Sequence, residues 1–213
     1  MKQIIKYRLA RFAQDQSGAT LVELAILIPT LLLLVMGAIE FGRFGYNEAM
    51  AQKATELAAR TAAVRPAVCD DVPETFGPVT DTTGEPPRFG TLCRAGNVCA
   101  TPGSGEFTCT LAESNASADE IWQTIAPLLP RGLERGNIQM RYTHDDRLGF
   151  LGGPYTPIVT AELVQFDFQF ITPLGLLANL ATFGDDSAIA NTIRFPNMSA
   201  SLPGEDLGQG PGL

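Results

Sequence analysis

The chain has 213 residues, 45% of them hydrophobic and 18% charged, with a net charge of −8. That is apolar enough for a folded core and too sparsely charged for wholesale disorder. The negative balance repels phosphate backbones, so no nucleic-acid partner is expected.

Residues 1–18 carry Lys2, Lys6, Arg8 and Arg11 against Asp15. They read as a basic cytoplasmic leader, since Lys and Arg beside a membrane segment stay on the cytoplasmic side. Ala19–Ile39 then carries a single charge, Glu23. A bilayer core needs roughly 20 mostly apolar residues in a helix, so residues 19–40 are expected to span. Pro29 lies inside this run, where membrane helices tolerate proline if neighbours compensate. Residues 41–65 are rich in Ala, Glu, Gln and Arg and should continue the helix as a periplasmic stalk, until Pro66 stops it. Glu56 and Arg60 stand at i,i+4 spacing, and Ala51, Ala54, Ala58 and Ala62 share one face. That face suits packing on the domain or on sister helices.

Residues 66–116 are rich in Pro and Gly and contain Cys69, Cys93, Cys99 and Cys109. They read as a loop region held by disulfides. An even cysteine count on the outer side of a membrane suits an oxidising compartment, and no Cys-x2-Cys spacing suggests zinc. Four cysteines allow three connectivities. The turn-rich Thr101–Gly105 between them favours Cys99–Cys109, with Cys69–Cys93 as the second bridge.

Residues 117–203 should form an α+β domain. Ser117 and Glu120 match a capping box, followed by the apolar face Ile121, Trp122, Ile125 and Leu128 or Leu129. Asn137–Thr143 alternates with Ile138, Met140 and Tyr142 on one side. Ile158–Ile171 alternates with Phe166, Phe168 and Phe170 on one face. Ile189–Ser201 is a weaker strand with Pro196 in its middle, which suits an edge or a bulge. Pro173–Phe183 is expected to be a short helix covering the sheet, and 204–213 a flexible tail. The expected fold is a long membrane and stalk helix, then a small antiparallel sheet packed on short helices.

Chemistry is sparse. The lone His144 precedes Asp145 and Asp146 at a strand end, where a solvated polar turn outweighs a metal or acid–base site. No phosphate loop, dinucleotide fingerprint or zinc-protease motif occurs. Neither enzyme activity nor a cofactor or metal is expected. Glu23 is the informative residue, because a carboxylate at the centre of a membrane helix costs about 2.5–3.5 kcal/mol and requires a cation.

The layout of Gly18–Ala19–Thr20–Leu21–Val22–Glu23–Leu24–Ala25 with Pro29, followed by Glu40–Phe41–Gly42–Arg43, resembles the TadE/TadG-like pseudopilin family of the tight-adherence (Flp, type IVb-like) pilus system. The resemblance covers about residues 16–60, with Val22, Pro29, Glu40, Phe41, Gly42 and Arg43 as its motif residues. It implies a minor pilin-like protein of the bacterial inner membrane, N-terminus cytoplasmic and domain periplasmic. Its partners would be other pilins or pseudopilins, the pilus assembly platform and a prepilin peptidase cutting between Gly18 and Ala19. Cleavage would make Glu23 the fifth residue, facing the new ammonium of a neighbour. The alternative is a membrane-tethered binding module or adhesin in which the helix only anchors.

Overall fold

The computed structural model describes residues 18–80, 87–96, 98–113, 115–171, 192–205 and 207. The basic leader, the apolar stretch 173–183 and most of the tail lie outside these residues. The fold is α+β.

Helix α1 runs unbroken over Ala19–Ala63. Its start is marked by Val22 N–H donating to Gly18 O at 3.1 Å. Pro29 sits within it, and beside it the Thr30 hydroxyl bonds back to Ile26 O at 3.3 Å. Contacts divide the chain into two units. One contains α1 up to Arg43 together with residues 169–191, and the other contains Phe44–Phe168 with residues 192–213.

In the second unit α1 changes character. Ala51, Ala54, Thr55, Ala58, Ala59, Ala62 and Ala63 are all buried. Their spacing keeps small side chains on one helical face, so the alanine face belongs to the domain's own core. Glu56 and Arg60 are exposed and form no ion pair.

A four-stranded antiparallel sheet supplies the facing layer. Its strands are β1 (Glu106–Thr110), β2 (Ile138–Thr143), β3 (Ile158–Leu163) and β6 (Met198–Pro203), in the order β1-β2-β3-β6. Register aligns Cys109, Met140, Ala161 and Ala200 across one face, and Phe107, Tyr142, Val159 and Leu202 beside them. The opposite face carries Thr108, Arg141, Thr160 and Ser201, with Arg141 bridging to Glu162 at 3.3 Å. This is the apolar-in, polar-out pattern of a sheet with one solvated face. Helix α2 (Ala116–Ile125) adds Ala118, Ile121 and Ile125 to the buried set.

The chain leaving α1 is fastened to the sheet. Val68 N–H donates to the Tyr142 hydroxyl at 3.0 Å, and Cys69 bonds to Cys109 on β1. Burial pushes the Tyr142 phenol up to about 12, against the opposing effect of the Val68 donor.

Several sequence expectations need correction. The bridges are Cys69–Cys109 and Cys93–Cys99, not Cys99–Cys109 and Cys69–Cys93. The turn at Pro102–Gly105 feeds directly into β1, which carries Cys109 away to meet the segment after α1. Cys99 instead stays with Cys93 in a satellite core with Phe76, Leu151 and Tyr155. The presumed loop region therefore contains both a strand and a small core. Helix α2 is capped by Asn115, not Ser117. Asn115 Oδ1 accepts from Ala118 N at 2.8 Å while its Nδ2 donates to Val68 O at 2.7 Å. Ser117 lies inside the helix, and Glu120 pairs with Arg65 at 2.8 Å. The long strand at 158–171 is two strands, because Gln165 adopts a left-handed φ of 51° before β4 (Asp167–Gln169). The expected third strand is also two, β5 (Thr192–Arg194) and β6, separated around Pro196. β4 and β5 form a separate two-stranded ribbon.

Candidate membrane and assembly site

The first half of α1 presents a row of exposed apolar side chains. Leu21, Val22, Leu24, Ile26, Leu27, Leu31, Leu34 and Ile39 are all exposed. Leu21–Ala63 is the one helix among the described residues long and apolar enough to cross a membrane, with a mean hydropathy of 2.4 in its most apolar window. At about 1.5 Å per residue, Ala19–Ile39 is about 31 Å long, matching a hydrocarbon core of about 30 Å.

Glu23 lies about 6 Å along the helix from Ala19, just over one turn. It is exposed, and among the described residues no hydrogen bond or ion pair reaches it. Gly18 precedes it in a turn, immediately ahead of the helix start at Ala19. Gly37, Gly42 and Gly45 have open surroundings: a Cβ on any of them would meet nothing within 4 Å. Glycine costs helix stability of about 1 kcal/mol relative to alanine. The chain's own packing does not account for that cost at these positions.

The other end of the run is organised differently. Glu40 directly follows Ile39 and is 2% exposed. One carboxylate oxygen accepts from Arg43 Nη2 at 2.8 Å and Nε at 3.1 Å. The other accepts from the Ile171 backbone N–H at 3.0 Å. Arg43 Nη2 also donates to Gln169 O at 2.7 Å. Phe41 meets Phe170 edge-to-face, with ring centroids 6.3 Å apart. Glu40–Phe41–Gly42–Arg43 thus forms a latch on residues 169–171. The i,i+3 acid–base spacing was visible in the sequence. Its partner was not, because Ile171 is 131 positions away.

The remaining candidates resolve into structure. His144 stacks on Tyr155 with ring centroids 5.9 Å apart, and the Tyr155 hydroxyl approaches His144 Nδ1 at 3.4 Å. The contact belongs to the satellite core, where Phe76 lies 5.0 Å from Tyr155. Among the described residues no group of three or more His, Cys, Asp or Glu could hold a metal. All four cysteines are in disulfides.

Residues 18–60 match the family model described as TadE-like protein. Over this stretch the chain is similar to that family. The match takes in Gly18, Glu23, Pro29 and the whole Glu40–Arg43 latch, and it ends before the sheet begins. No curated protein and no solved structure matches the chain.

Proposed function

We propose that the protein is a TadE-like minor pilin or pseudopilin of a Flp-type pilus or secretion machine. It is a single-pass protein of the bacterial inner membrane, with residues 1–18 cytoplasmic and the disulfide-bonded domain periplasmic. It works by packing Ala19–Ile39 against other pilin-like helices and by domain contacts outside the membrane. The observation that carries this reading is Glu23, an ionisable group on an exposed apolar helix with no partner among the described residues.

An intramembrane carboxylate calls for a cation. Cutting between Gly18 and Ala19 by a prepilin peptidase would supply one, since each copy would gain an ammonium at Ala19. A partner helix shifted along the axis by about one turn would bring that ammonium level with Glu23. The open surroundings of Gly37, Gly42 and Gly45 favour close helix approach at the same time. Structural work of this kind uses no catalytic group or cofactor.

Intact-mass analysis of the protein purified from membranes tests the processing step. The expected mass is that of a chain beginning at Ala19. A chain retaining Met1 in cells with active prepilin peptidase would remove the ammonium and, with it, this account of Glu23.

A further inference from the structure

We propose that the Gln169–Ile171 turn is a second membrane contact, lying in the headgroup and acyl-chain boundary beside the outer end of the spanning helix. The inference rests on the reading that Ala19–Ile39 spans a bilayer. The latch sets the height of the turn. Ile171 N–H bonds to Glu40 and Gln169 O to Arg43, the first polar residues after the apolar run ends at Ile39. A bilayer of about 40–45 Å with a core of about 30 Å leaves an interfacial slab of about 5–7 Å on each side. A backbone held within one side chain's reach of Glu40 falls in that slab when Ile39 marks the core boundary.

The surface at this level is apolar. Ile171 is 75% exposed and Phe41 is 64% exposed. Phe170 packs edge-to-face on Phe41, so the aromatic surface continues from the helix onto the turn. This patch begins two residues after the exposed run that ends at Ile39, at the same end of the spanning segment. The same solvent that covers that run therefore covers the patch. Aromatic rings favour the boundary region, and an isoleucine gains by burying its side chain there. Two backbone groups of the turn, the Ile171 N–H and the Gln169 carbonyl, already have side-chain partners, which lowers the cost of such a place. Glu40 and Arg43 then act as positioning residues that fix the depth of a lipid-facing turn.

Environment-sensitive fluorescence on the full chain, oxidised and reconstituted in phosphatidylglycerol–phosphatidylcholine vesicles, tests this. The probe is attached through Ile171→Cys in one sample and Leu31→Cys in another. The native cysteines are paired and do not label. The Ile171 probe should lose most of its emission to a nitroxide near the lipid glycerol and be shielded from aqueous iodide. The Leu31 probe should be quenched by a nitroxide deep in the acyl chains. If Leu31 responds to the deep quencher while Ile171 responds only to iodide, the turn lies in water and the inference is overturned, with the spanning reading intact. An Ile171 probe shielded from both iodide and lipid nitroxides would mean that protein covers it, which also overturns the inference. If the Leu31 probe ignores the deep quencher, the spanning reading fails and the inference falls with it.

Discussion

Glu23 and Glu40 are two carboxylates on one helix, near opposite ends of one apolar run, and they are treated in opposite ways. Glu40 is buried, bonded to Arg43 and to the Ile171 backbone. Glu23 is exposed and has no bond among the described residues. The contrast separates what this chain completes by itself from what it leaves to others. From Glu40 onwards, Glu40, Asn115 and Tyr142 bond within the chain, and changes there should cost stability in the isolated protein. Before Glu40, most of the described side chains are exposed. Changes there should cost assembly.

The largest stability effect should come from the bridge that ties the exit of α1 to the sheet. Cys69–Cys109 closes a loop of sequence separation 40, and Cys93–Cys99 one of only 6. Loop-closure entropy gives about 4 kcal/mol for the first and about 2 kcal/mol for the second. Denaturant melts of the paired serine variants in detergent should rank them in that order. Equal losses would mean that the satellite core depends on its bridge as much as the main core does.

Tyr142 gives a pH signature of the same interior. Burial raises its phenol from 10 to about 12, so the neutral form is favoured in the folded state. Its contribution is fully present below pH 10 and is lost as pH rises towards 12, where the unfolded chain releases its proton first. The loss across that window is about 2–3 kcal/mol at 1.36 kcal/mol per unit. Thermal melts from pH 9 upwards should show it, and a flat profile to pH 12 would mean that the hydroxyl reaches water.

Glu40→Ala should act locally. It leaves the Ile171 N–H without its carboxylate and deprives Arg43 of its ion pair. Stranding one such donor costs about 1–3 kcal/mol, which hydrogen exchange at the Ile171 amide would read as faster opening. Glu23→Ala should give the smallest effect on the purified protein, within about 0.5 kcal/mol, as for a surface change that removes no internal contact. A larger loss would show that Glu23 has a role within its own chain and would erase the contrast.

The sequence made parts of this plain and hid others, for physical reasons. An apolar run of spanning length with a single charge and the alternation of Ile138, Met140 and Tyr142 are local signals, and both elements appear as expected. β1 was hidden because Glu106–Thr110 is short and sits among prolines and glycines. The break after β3 was hidden because Gln165 is not a residue that announces positive φ. Asn115 won the cap from Ser117 because its amide also reaches Val68, a contact set by tertiary structure. The disulfide pairing failed in the same way, since the strand carrying Cys109 had gone unseen. At the candidate site, Glu40 and Arg43 were named in the sequence only as motif residues of a resemblance, and neither their ion pair nor the turn they hold was read from it.

The most direct test of the central claim is Glu23→Ala in cells, with membrane level and assembly measured on the same samples. Assembly is read as cross-linked complexes with pilin-like partners and as pili on the surface. The account predicts an unchanged amount of inserted protein and a loss of both complexes and pili. Normal complexes and normal pili at normal membrane levels would contradict it, and would leave the helix as an anchor alone.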